Sequence, residues 1–169
     1  MSKQSKRSTV AVVMGSDSDL GVMQNCIDQL KAFGIDPVVR ILSAHRTPEQ
    51  AGQFAAGAAG EGIRVIIAAA GMAAHLAGAM AARSRLPVIG VPLAASEGPM
   101  GLDALLSTVQ MPPGIPVASM AIGKAGAKNA AVFAVQILAL SDSALADKLD
   151  QFRRDQSDKA LKKDAALQE

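Results

Sequence analysis

The 169-residue sequence has no tryptophan, no tyrosine, one cysteine and only two histidines. Each scarcity excludes something. A lone cysteine, Cys26, cannot form an intrachain disulfide, and one cysteine with two histidines is poor material for a zinc site. Aromatic residues make up 2% of the chain and the formal net charge is +2, so neither stacking platforms nor a basic surface points to nucleic acid. No run reaches about 18 uninterrupted apolar residues, which argues against a membrane span. The polar, basic start at 1–8 lacks the apolar stretch of a signal peptide. Residues 1–8 are therefore expected to be disordered, and a cytoplasmic location is expected.

What is abundant is small and apolar. Hydrophobic residues are 50% of the chain against 19% charged, and Gly alone contributes 15 positions. Such a surplus fits close packing of helix on sheet, with apolar surface left over for burial between subunits. The length fits one domain with a full core.

Short β-branched runs alternate with longer helical stretches along the chain. Strands are predicted over 9–14, 37–42, 64–70, 87–93 and 117–122. Helices are predicted over about 20–33, 47–60, 73–83, 102–111 and 125–140, with a charged last helix over about 143–163. Cys26 falls on the apolar stripe of the first helix and is read as a core residue. Thr47-Pro48-Glu49-Gln50 reads as a capped helix start, with Thr47 as N-cap and Pro48 in the first helical position. The helix at 125–140 is apolar on nearly every face and needs covering on all sides. Alternating strands and helices require crossover connections. The expected fold is α/β, a three-layer, doubly wound, flavodoxin-like parallel sheet in a single domain.

In such sheets ligands sit beyond the carboxyl ends of the strands. Gly15-Ser16-Asp17-Ser18-Asp19, after the first strand, offers hydroxyls and helix-start amides for an anion and a carboxylate for sugar hydroxyls. The same residues serve equally as a simple N-cap. This loop is neither a P-loop nor GxGxxG, so ATP use is not expected. After the second strand, Ser43-Ala44-His45-Arg46-Thr47-Pro48 sets an Arg suited to gripping phosphate beside a His suited to moving a proton. After the third, Ala70-Gly71-Met72-Ala73-Ala74-His75 has few polar groups and suits a tight pocket; His75 there is either a site residue or a helix-start hydrogen bonder. After the fourth, residues 94–101 look like a flap, in which Glu97 is read as a solvated acid.

Together, Met-Gly-Ser-Asp-Ser-Asp at 14–19, Ser-Ala-His-Arg-Thr-Pro at 43–48, Ala-Ala-His-Leu at 73–76, Gly-Val-Pro at 90–92, Gly-Leu-Asp at 101–103 and Val-Gln-Met-Pro at 109–112 resemble the PurE family of purine biosynthesis. The likeness covers about residues 10–140. The Ser-Ala-His-Arg-Thr-Pro and Gln-Met-Pro stretches look like its class I branch, the N5-carboxyaminoimidazole ribonucleotide mutases. The class II branch usually has Lys after the motif His.

The resemblance implies transfer of a carboxylate from N5 to C4 of the imidazole, by decarboxylation, trapping of CO2 and attack by C4, without metal, ATP or other cofactor. It implies His45 as the catalytic acid/base and Ser16, Ser18, Ser43 and Arg46 as phosphate-facing residues. Asp19 would face the ribose, with Ala44 in the same substrate-binding set. Ala70, Gly71, Ala73, His75 and Leu76 would wall the base and CO2. The implied partners are a small-molecule ribonucleotide and CO2, without nucleic acid or membrane, and the implied assembly is a homo-octamer. Three positions depart from the family pattern: Met72 stands where Gly is usual, Ala77 where Pro is usual, and Leu20 at a commonly aromatic position. Two other readings remain: direct carboxylation of aminoimidazole ribonucleotide by CO2, which Arg46 and Thr47 disfavour, and a non-catalytic nucleotide-binding module, which Met72 alone favours.

Overall fold

The computed structural model describes residues 9–96 and 98–168, so the expectations for residues 1–8 and for Glu97 fall outside the described residues. Five strands form one parallel sheet: β1 (Val10–Met14), β2 (Val38–Ile41), β3 (Val65–Gly71), β4 (Val88–Leu93) and β5 (Ala118–Ser119). Their spatial order is β2-β1-β3-β4-β5, the doubly wound order expected of a flavodoxin-like sheet. Central strands of such a sheet are covered on both faces, which is why β1 and most of β3 and β4 are continuous apolar runs with every residue from Val10 to Met14 buried.

Helices lie on both sides of the sheet. Ala11 and Val13 of β1 with Ile66 and Ala68 of β3 face α2 (Pro48–Gly57) and α3 (Leu76–Ala81), whose Ala51, Ala55, Leu76 and Met80 complete that core. α4 (Leu102–Val109) meets the same face at Gly90, where a methyl group would collide with the Thr108 side chain and crowd Val117. α1 (Leu20–Ala32) packs against β1 and buries Met23, Cys26, Ile27 and Leu30. Burial pushes the Cys26 thiol up to about 12, as befits a core residue. α1 ends in a Schellman turn: Gly34 has φ 83°, Ile35 N–H donates to Leu30 O and Gly34 N–H to Lys31 O.

The chain divides into two compact units between Ala134 and Val135, within α5 (Lys124–Ala139). In the first unit Ala127, Ala130, Ala131 and Ala134 of α5 are fully buried. The second unit holds the end of α5 and α6 (Ser143–Ala165), which Asp142 caps by accepting from the N–H groups of Ala144 and Leu145.

Three local expectations are corrected. β5 spans two residues rather than six. Gly90 O and Pro92 O both face it, accepting from Met120 and Gly123, and Pro92 has no N–H to return a bond, so the ladder stops. α3 begins at Leu76, three residues later than predicted, because Met72 adopts φ 55° and the chain turns through 72–75 before winding. Thr47 occupies the N-cap position of α2 without a side-chain cap bond. Its hydroxyl instead accepts from Ser43 N–H at 2.9 Å and donates to Ser43 O at 3.1 Å, closing the preceding loop.

Candidate active site

The register of the sheet brings three loops out in step. Met14 lies between Ile41 and Ala69 across the ladder, and the pairing continues past the strand ends, with Leu42 N–H on Met14 O and Gly15 N–H on Ala69 O. The loops after β1, β2 and β3 therefore open at one level. They do so where the connections reverse direction across the sheet, the usual crevice of this architecture. A cavity of about 470 Å³ fills the crevice.

That cavity is lined by Ser16, Asp19, Ser43, Ala44, His45, Arg46, Ala70, Gly71, Ala73, His75 and Leu76, each named from sequence. Ser18 is not on the lining; its hydroxyl lies 3.0 Å from that of Ser16, beside the cavity mouth. Gly15, Met72 and Ala95 also line it and were not among the predicted site residues. Gly15 belongs to the first motif and Met72 to the third. Ala95 carries no chemical signal beyond its place after β4.

Each loop is held by its own short side chains. In the first, Ser16 and Asp19 form a capping box around a 3-10 turn at Asp17–Asp19, with Ser18 N–H on Ser16 Oγ and Ser16 N–H on Asp19 Oδ2 at 3.0 Å. The capping reading of this loop is thus realised, with the Ser16 hydroxyl donating to Asp17 Oδ1 and the Ser18 hydroxyl donating to Ser16 Oγ, each at 3.0 Å. Burial raises the Asp19 carboxyl above its ordinary value, against the lowering effect of the Ser16 and Gly15 N–H groups and the Arg46 guanidinium. In the second loop, Ser43 Oγ accepts from the N–H groups of His45 and Arg46 at 3.3 and 3.1 Å, a turn that fixes both side chains' starting direction. Arg46 Nη2 then reaches across to Gly15 O at 3.0 Å, tying the second loop to the first. A neighbouring hollow of about 430 Å³, lined by Asp17, Ile41 and Thr47, shares Gly15, Ser16, Ser43 and Arg46 with the main cavity.

The two histidines meet in the cavity. His45 Nε2 and His75 Nδ1 are 2.8 Å apart, with ring centroids 4.9 Å apart and planes at 81°. Although His75 sits at the N-cap of α3, its side chain makes no cap bond, which removes the helix-start explanation for it. Met72 is 64% exposed at the rim. Its positive φ is the conformation a glycine supplies without strain, and glycine is the residue the resemblance implies at this position.

Among the described residues no group of three or more His, Cys, Asp or Glu is placed to hold a metal ion, and no helix is long and apolar enough to cross a membrane. What the cavity offers is an arginine with hydroxyls and amides at one end for an anion, a half-buried carboxylate, a paired imidazole for proton transfer, and a small apolar wall.

A family model described as AIR carboxylase matches residues 9–159. A protein of Brucella melitensis named N5-carboxyaminoimidazole ribonucleotide mutase is 54% identical over 149 residues, covering 88% of this chain and 91% of its own length. A protein of the same name from Escherichia coli K12 is 47% identical over 161 residues, 95% of each chain. The crystal structure of Treponema denticola PurE superposes with a TM-score of 0.84 at 29% identity, covering 95% of this chain and 98% of that one.

Proposed function

The chain belongs to the AIR carboxylase family, and from that premise we propose that it is an enzyme of purine biosynthesis, an isomerase converting N5-carboxyaminoimidazole ribonucleotide to 4-carboxy-5-aminoimidazole ribonucleotide. The observation that carries the reading is the gathering of His45, Arg46, Ser43, Ser16 and Asp19 around one crevice beside a wall of Ala70, Gly71, Ala73 and Leu76.

Arg46, with the Ser16, Ser18 and Ser43 hydroxyls, takes the 5′-phosphate: the guanidinium presents a fork of donors, and the Ser16 and Ser18 hydroxyls, which donate to Asp17 Oδ1 and Ser16 Oγ in the ligand-free site, rotate to the phosphate oxygens. Asp19, its Oδ2 engaged by Ser16 N–H, keeps its other oxygen for a ribose hydroxyl. With those ends fixed, the imidazole lies toward the Ala–Gly wall. The N–C bond of the carbamate breaks there, CO2 leaves, and N5 keeps the electron pair and takes a proton from His45. The small apolar wall retards escape of the CO2, and the enamine-like C4 attacks it. The carbon then bears both hydrogen and carboxylate. His45 removes that proton, the C–H electron pair returns to the ring, and aromaticity is restored.

The ribonucleotide and CO2 are the proposed small-molecule partners, in the cytoplasm. A homo-octamer is the proposed assembly, supported by the exposed apolar stripe Leu102, Leu106 and Val109 on α4.

The role of His45 is tested by His45→Asn. The variant is expected to fold and to bind the ribonucleotide within a few-fold of the parent, while turnover falls by about 100-fold or more, the range of a lost acid/base group. Near-parental turnover overturns the assignment.

A further inference from the structure

We infer that His75 is a positioning residue that holds His45 in one tautomer through the bond between His45 Nε2 and His75 Nδ1. The inference rests on the proposed role of His45 as proton carrier and adds how its reactive nitrogen is selected.

A neutral imidazole has one donor and one acceptor nitrogen, so two ring nitrogens 2.8 Å apart share a single proton. The direction of that bond follows from the charged state. Once His45 takes a second proton, both of its nitrogens are donors. His75 Nδ1 must then accept, and the proton of His75 must lie on Nε2. Only this arrangement survives the charging of His45 without breaking the bond. Before charging, it places the hydrogen of His45 on Nε2 and the lone pair on Nδ1. A proton leaving the ring carbon of the bound ligand therefore forms its new N–H bond at Nδ1. The electron pair of the broken C–H bond stays with the ligand ring, and the Nε2–H of the imidazolium remains on His75. The proton is given up from Nδ1, by the reverse step, to the ligand nitrogen from which CO2 departs.

Other duties for the His75 ring are not in view. It is exposed, it does not cap α3, and among the described residues its one hydrogen bond is to His45. A ring so placed acts through its partner.

The test is nitrogen-15 spectroscopy of histidine-labelled, ligand-free protein at about pH 8.5, where histidine is ordinarily neutral, in the parent, His75→Phe and His75→Asn. Because the chain has only two histidines, the Phe and Asn variants leave the signals of His45 alone and so assign them. The parent is expected to show His45 as the Nε2–H tautomer. His75→Phe is expected to show tautomers in exchange, with kcat down about tenfold or more and KM within about threefold, a barrier rise of about 1.4 kcal/mol. His75→Asn, whose amide oxygen can accept from near the Nδ1 position, is expected to restore the single tautomer and most of kcat. The inference is overturned if the His45 nitrogens are unchanged in His75→Phe, or if they change while kcat does not. Should the parent itself not turn over the N5-carboxylated ribonucleotide, the mutase reading fails, whereas the nitrogen shifts still decide the pairing.

Discussion

At Met72 the backbone takes φ 55°, where an L side chain costs about 1–2 kcal/mol because Cβ crowds the following carbonyl. With the side chain exposed, nothing in packing depends on the thioether, so the conformation is imposed by the turn from β3 into α3. Met72→Gly is therefore expected to leave unfolding free energy unchanged or to raise it by up to about 1 kcal/mol, strain relief offsetting the entropy glycine adds to the unfolded chain. Met72→Val, with a branched Cβ in the same conformation, is expected to lower it by about 1–3 kcal/mol. Urea denaturation of both variants checks this, and Val and Gly of equal stability would contradict it. Asp19 makes a prediction in pH. Its carboxyl is raised above the ordinary 3.8, chiefly by burial, so the folded state favours the protonated form. That contribution is full below the unfolded value and is lost as pH rises through the folded one. Asp19→Asn keeps an oxygen for Ser16 N–H and does not titrate. Its stability relative to the parent is expected to rise as the pH is raised through the unfolded and then the folded value of Asp19, as read by urea melts at each pH. A flat or falling difference would contradict the burial argument.

At the scale of elements, α4 packs closely against β4 at Gly90. Gly90 faces Thr108, Val117 and Ala77 with no room for a methyl group. Gly90→Ala is expected to cost about 1–3 kcal/mol, the usual range for overpacking, visible as a lower urea midpoint. A shift too small to measure would mean that α4 moves freely. How much was legible in the sequence divides at this scale. The order of strands and helices was, because the apolar runs of β1, β3 and β4 and the stripe of Met23, Cys26, Ile27 and Leu30 follow the two periods of strand and helix. The start of α3 was not, since a positive φ at a methionine leaves no mark in composition. The shortness of β5 was half-visible: Pro92 is in the sequence, yet which edge its missing N–H faces depends on tertiary pairing. Thr47 looked like a cap by spacing, and only the return of the chain to Ser43 redirects its hydroxyl. The residues lining the cavity come from loops at strand ends, where a parallel sheet opens its crevice. The 2.8 Å contact between histidines thirty positions apart required the register of β1, β2 and β3.

At the scale of the whole molecule, the sheet order accounts for where chemistry occurs. Connections leave β1 toward β2 and return past it to β3, so the loops after β1 and β3 part and leave a crevice that the β2 loop closes with Arg46 on Gly15 O. The crevice then brings Arg46 and the Ser16 and Ser43 hydroxyls together with a small apolar wall and a paired imidazole. A carbamate that must lose CO2 and regain it at carbon suits that layout. A surface that only holds a nucleotide would have no use for the imidazole pair. The most direct measurement gives the purified protein two substrates in parallel, N5-carboxyaminoimidazole ribonucleotide alone and aminoimidazole ribonucleotide with bicarbonate but no ATP, and follows the C4-carboxylated product. Rapid conversion of the first, with the second slower by about 100-fold or more at physiological bicarbonate, is the predicted result, since only the first delivers CO2 at the effective concentration of a trapped molecule. Efficient use of the second, or binding of the first without product, would contradict it.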